Sequence, residues 1–121
     1  MRDFSEQVSP GRITSVRWDH DRLIVAAKGL RRLGFPVTAV IEFSAATRLD
    51  GRDLRSDLAN PTLEPGWRID GLVQEGGEAR MEVSRQAGPG DTEASLFTIS
   101  CEAVYIKRRP SISWRPRPPS L

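Results

Sequence analysis

The sequence predicts an all-β protein, an antiparallel sandwich or half-open barrel of about six or seven strands. Three observations carry this. Apolar residues recur at every second position in several segments, the period of a strand with one buried face. Gly-, Asp- and Pro-rich turns separate those segments at short intervals. Strands do not alternate with long helical patterns, which argues against a parallel sheet.

The elements follow in order. Arg12 to Trp18 is a short β-prone run. Asp19-His20-Asp21 has turn chemistry, because Asp side chains bond nearby backbone. Arg22 to Lys28 returns through Leu23, Ile24, Val25 and Ala26, giving a first hairpin that Gly29 ends. Leu30 to Gly34 reads as a loop. Pro36 to Phe43 is the clearest strand, with Val37, Ala39, Ile41 and Phe43 alternating against Thr38, Val40 and Glu42. Pro36 fits a strand entrance, where its missing N–H does least harm.

Arg48 to Asn60 supports two readings. Leu49, Leu54 and Leu58 allow a short helix over 52–59, with Asp50 as its cap. A structured acidic loop is the other. Trp67 to Gln74 and Glu78 to Arg85 flank Glu75-Gly76-Gly77 and form the best hairpin in the chain, since glycine reaches positive φ without steric cost. Ala87 to Asp91 is a loop. Leu96 to Ile106 alternates through Phe97, Ile99, Cys101, Ala103 and Tyr105, as one bent strand or a strand crossing between sheets. No close internal repeat is visible, although Arg12–Lys28 and Trp67–Arg85 share a strand–turn–strand plan.

At 121 residues the chain fits one domain with a real core. The division expected is a β domain over 1–106 and a basic, Pro-rich tail over 107–121. That tail holds five positive charges and no acid, whereas residues 1–106 carry 13 basic against 16 acidic side chains. No apolar run approaches 18 residues, so neither a spanning helix nor a membrane partner is expected. Asp3 and Glu6 stand where a signal peptide needs apolar residues, and Cys101 is the single cysteine. Both point to the cytoplasm.

Motifs for chemistry are sparse. Asp19-His20-Asp21 holds the only histidine, but neighbouring strand residues point to opposite faces and seldom converge on one ion. Asp50, Asp53 and Asp57 lack calcium-loop spacing, and Arg52 and Arg55 compete with any cation. Cys101 lies in an apolar alternation, as a buried inert thiol would. No Gly-x-Ser-x-Gly elbow and no phosphate-binding loop with lysine occur. The expectation is therefore no enzyme, no metal and no cofactor. Trp18 and Trp67, at strand ends, read as lids on the core.

The strand patterns Ile13-Thr14-Ser15-Val16-Arg17-Trp18-Asp19, Val40-Ile41-Glu42-Phe43, Trp67-Arg68-Ile69-Asp70-Gly71-Leu72 and Phe97-Thr98-Ile99-Ser100-Cys101-Glu102 resemble a group of small bacterial all-β proteins. That group includes immunity proteins of polymorphic toxin systems. The resemblance implies a sandwich that binds and blocks a toxin without chemistry, and names no site residues. The function expected is a non-catalytic protein-binding module in which acidic Asp50, Asp53, Asp57 and Glu64 meet a basic partner. The alternative is nucleic-acid association through Arg108, Arg109, Trp114, Arg115 and Arg117, with Trp114 stacking or anchoring. A small-ligand barrel ranks third. Monomer and homodimer both remain open.

Overall fold

The computed structural model describes residues 1–55 and 60–111. It is all-β, with nine antiparallel strands among the described residues: β1 (Arg2–Asp3), β2 (Arg12–Asp19), β3 (Arg22–Arg32), β4 (Phe35–Ser44), β5 (Arg48–Asp53), β6 (Arg68–Glu75), β7 (Glu78–Gly88), β8 (Asp91–Ser100) and β9 (Ala103–Pro110). One helical turn, α1 (Ser5–Val8), follows β1. All nine strands share one sheet in the order β5-β8-β7-β6-β2-β3-β4-β9, with β1 beside β6. The sheet does not close, since β5 pairs only with β8 and β9 only with β4 among the described residues.

The alternation read from the sequence sets which residues face inward. Leu23, Val25 and Ala27 of β3, Val37, Ala39, Ile41 and Phe43 of β4, Ala79, Met81 and Val83 of β7, and Phe97 and Ile99 of β8 are buried in one continuous core. Period two is enough to put every second side chain on that face. Trp67 is buried, stands edge-on to Phe97 with centroids 6.0 Å apart, and donates its indole N–H to the Thr62 carbonyl at 2.9 Å.

The sheet is a structural repeat. Adding 56 to a residue of β2–β4 gives its counterpart in β6–β8. Asp19 opposite Arg22 becomes Glu75 opposite Glu78, Val16 opposite Val25 becomes Leu72 opposite Met81, and Val25 opposite Ile41 becomes Met81 opposite Phe97. A bulge lies between Ile13 and Ser15 in β2, and the matching one between Ile69 and Gly71 in β6. Both hairpins turn on positive φ, 55° at His20 and 60° at Gly76.

Each three-strand meander is completed by a strand that crosses from the other. β5, after β4, joins β8; β9, after β8, joins β4. The two crossovers are tied alike: Thr47 N–H donates to the Ser100 carbonyl at 2.9 Å, and Glu102 N–H to the Ser44 carbonyl at 2.9 Å. The halves meet where Arg12 faces its own counterpart Arg68. Ile13 N–H donates to the Trp67 carbonyl (2.7 Å) and Ile69 N–H to the Gly11 carbonyl (2.8 Å), a matched pair of bonds.

Several expectations change. Arg52 and Asp53 end a strand, so no helix forms over the described part of 52–59, and Asp50 is a strand residue rather than a cap. Residues 56–59 lie outside the described residues. Pairing with β8 across Gly51 and Phe97 overrides the local leucine spacing. Gly29 does not end β3. At φ 87° it sits at an irregularity, and the strand continues to Arg32, which turns the expected 30–34 loop into strand plus a Leu33-Gly34 turn. β9 runs to Pro110, so the boundary at 106 falls inside a strand.

Candidate interaction surface

The repeat allows the outer faces of the two halves to be compared position by position. On the half built from β6, β7, β8 and β5, Arg80 lies beside Thr98 and Asp50, and Glu82 beside Leu96 and Arg52. Charges of both signs alternate there. At the matching positions on the other half stand Ile24 beside Glu42 and Tyr105, and Ala26 beside Val40 and Lys107. Thr38 and Arg109 extend this row, and Arg17 flanks Ile24 from β2.

The outer face of β2-β3-β4-β9 is therefore an apolar strip edged by cations. Arg17, Ile24, Val40, Glu42, Tyr105 and Lys107 line a shallow depression of about 250 Å³ together with Arg109. Tyr105 is 54% exposed. Glu42 is the carboxylate of this strip, and it accepts from Arg22 at 2.8 Å, which also binds Asp19 at 2.8 Å. Arg17, Lys107 and Arg109 have no carboxylate partner among the described residues.

The acidic residues expected to form an interface are placed differently. Asp50 pairs with Arg48 at 2.7 Å. Asp53 accepts the Arg55 N–H at 2.8 Å. Glu64 pairs with Arg85 at 2.8 Å, and Arg85 also binds Glu93 and stacks 3.9 Å above the Trp67 ring. Asp50 and Asp53 share β5, but Glu64 lies in the connection before β6. Asp50 and Glu64 thus have a cationic partner that offsets the charge, whereas Asp53 is held by a backbone N–H. Asp57 lies outside the described residues. Of the expected tail contacts, Arg108 and Arg109 belong to β9, while Trp114, Arg115 and Arg117 lie outside the described residues.

His20 sits on its turn with its side chain 92% exposed. Trp18 is 48% exposed and is no lid on the core, unlike Trp67. Cys101 is buried at the β8–β9 crossover, and burial pushes its thiol pKa up, away from the reactive thiolate. Among the described residues no group of three His, Cys, Asp or Glu side chains could hold a metal ion, and no helix is long and apolar enough to cross a membrane. Every buried side-chain polar atom described has a hydrogen-bond partner, so none is left aimed at a missing ligand.

Sequence reasoning missed this face because its parts come from four strands. Tyr105 and Lys107 are 60 or more residues from Val40 and about 90 from Arg17. The one available signal was Tyr105, an aromatic followed directly by the Ile106-Lys107-Arg108-Arg109 run. No protein-family model, curated protein or solved structure matches the chain.

Proposed function

We propose that this protein is a non-catalytic protein-binding module, of the kind immunity proteins exemplify, and that it engages its partner through the outer face of β2-β3-β4-β9. The carrying observation is the contrast between repeats: Ile24, Ala26 and Tyr105 replace Arg80, Glu82 and Asp50, and the surrounding Arg17, Lys107 and Arg109 have no carboxylate partner among the described residues. An apolar centre with a charged rim is the usual anatomy of a recognition patch. The cations select an acidic partner and speed encounter with it. This reverses the charge of the partner expected from Asp50, Asp53, Asp57 and Glu64, because Asp50 and Glu64 are offset locally by Arg48 and Arg85.

The test is affinity capture from the native host, followed by variants. Tyr105→Ala, and Lys107→Glu with Arg109→Glu, are expected to weaken the captured partner at least tenfold without changing thermal stability. Reversal of Asp50, Asp53 and Asp57 is expected to leave it unchanged. The opposite pattern would return the interface to the acidic residues. Nucleic-acid association is the second reading, supported by the Lys107-Arg108-Arg109 run beside exposed Tyr105. A gel-shift titration separates the two: retardation lost with Lys107→Glu and Arg109→Glu, and steep in salt, would favour it.

A further inference from the structure

The two halves differ at one backbone edge. Residues of β6 that face away from β7 are covered by the N-terminal segment. Phe4 N–H donates to the Leu72 carbonyl at 2.8 Å, Leu72 N–H donates to Ser5 Oγ at 3.0 Å, and β1 places Arg2 opposite Gln74 and Asp3 opposite Val73. Subtracting 56 gives the matching edge of β2: Val16, Arg17 and Trp18. Apart from the single pairing at Arg12 and the bonds of Ile13, that edge has no strand beside it among the described residues. The Asp19–Arg22 pair closes a two-residue turn, so the alternation of an antiparallel ladder aims the backbone groups of Val16 and Trp18 outward. Trp18 is half exposed at this edge, whereas its counterpart Gln74 lies beside β1.

We infer that the β2 edge from Val16 to Trp18 is a strand-addition site, and that its occupant is an extended segment of a partner protein with an acidic residue followed by a large apolar one. The first repeat supplies the site and the second supplies the template. On β6 the segment Arg2-Asp3-Phe4 lies antiparallel, with Asp3 opposite Val73 and Phe4 buried. Transferred to β2, the residue in the place of Asp3 faces Arg17. An acid there gains a cross-strand partner on the cationic face. The next residue, in the place of Phe4, falls beside Val16 and covers it and Trp18. Main-chain bonds give affinity in such docking and the alternate side chains give selection. Pairing of two β2 edges in register about Arg17 would set arginine against arginine, which disfavours a second copy.

This inference rests on the protein-binding reading above and adds the mode of engagement. The probes are two ten-residue synthetic peptides that differ at one position, one with a central Asp-Phe and one with Lys-Phe. Each is titrated into the full isotope-labelled chain, and amide exchange is followed by NMR. The Asp-Phe peptide is expected to slow exchange of the Val16 and Trp18 amides at least tenfold, and the Lys-Phe peptide to have no effect. Arg17→Glu is expected to exchange these preferences. Val16→Pro removes one outward N–H and should abolish protection, while Lys107→Glu with Arg109→Glu should retain it.

Absence of protection with the Asp-Phe peptide, or equal protection by both peptides, overturns the inference. So does protection that grows with protein concentration alone, which would mean a second copy. Protection in the free chain that vanishes on deleting residues 112–121 would assign the edge to the protein's own tail, again overturning it. If the peptides fail while the Tyr105 variant still loses the captured partner, the edge reading falls and the outer-face reading stands.

Discussion

Gly51→Ala probes how the connection before β6 packs on the second half. Gly51 lies opposite Phe97 in the β5–β8 ladder. A Cβ at this position would stand 2.6 Å from the Pro61 carbonyl oxygen and 2.7 and 3.1 Å from two carbons of the Phe97 ring. These separations are well inside van der Waals contact, so either the backbone or the ring must move. The ring has little room, because Phe97 is buried edge-on against Trp67, which in turn is held by its bond to Thr62. Overpacking of this kind costs about 1–3 kcal/mol. For a domain of this size each kcal/mol lowers Tm by roughly 3–6 °C, so a fall of roughly 3–18 °C is expected. Thermal unfolding followed by circular dichroism, with a urea titration for ΔG, measures it. Gly88→Ala is the control. Its Cβ would meet nothing within 4 Å, and the loss of unfolded-state freedom should leave stability equal or slightly higher. Should Gly51→Ala be as stable as the parent, the packing of Pro61 and Phe97 against β5 described here is wrong.

Three further outcomes are expected. His20→Gly should raise stability by about 0.5–1 kcal/mol, since His20 holds φ 55° where the matching turn uses Gly76, and a fall in Tm would count against that strain. Arg85→Ala should cost about 1–2 kcal/mol by removing the pairs with Glu64 and Glu93 and the stack on Trp67, and Arg85→Lys should recover only part of it in urea unfolding. Hydrogen bonds from the Ser5 side chain and backbone hold the Asp3 carboxyl below its usual value of 3.8, so its contribution is present above that value and is lost as pH falls through the lower folded one. The Phe4 and Leu72 amide shifts should therefore titrate at acid pH, and Asp3→Asn should remove that step.

Much of the fold was legible because hairpins are local. The pairs Arg12–Trp18 with Arg22–Lys28 and Trp67–Gln74 with Glu78–Arg85 join neighbours across two-residue turns, and β4 follows from the alternation after Pro36. Leu96 to Ile106 was read as one bent strand or a crossing one. The structure takes neither form: β8 ends at Ser100, β9 begins at Ala103, and both strands belong to the one sheet, with Cys101 and Glu102 between them. The helix reading fails over its described part, 52–55, because Arg52 and Asp53 pair with Leu96 and Ser95 of β8, more than 40 residues away. Of the residues expected at an interface, Asp50, Asp53 and Glu64 drew attention by charge alone, and charge in sequence does not reveal Arg48, Arg55 and Arg85 beside them.

By itself the sequence determined the class of structure: period two, turn residues and hairpin spacing dictate antiparallel strands with one buried face, since side-chain direction along a strand needs no distant partner. Only the tertiary structure decided how those strands exchange. The 56-residue repeat, the crossing of β5 and β9 and a β2 edge without a neighbouring strand among the described residues are relations between segments far apart in the chain. The repeats share backbone register while their side chains differ, as at Ile24 and Arg80. Backbone hydrogen bonds carry the register and tolerate any side chain that keeps the inward–outward alternation, so the repeat is plain in the sheet and faint in the letters.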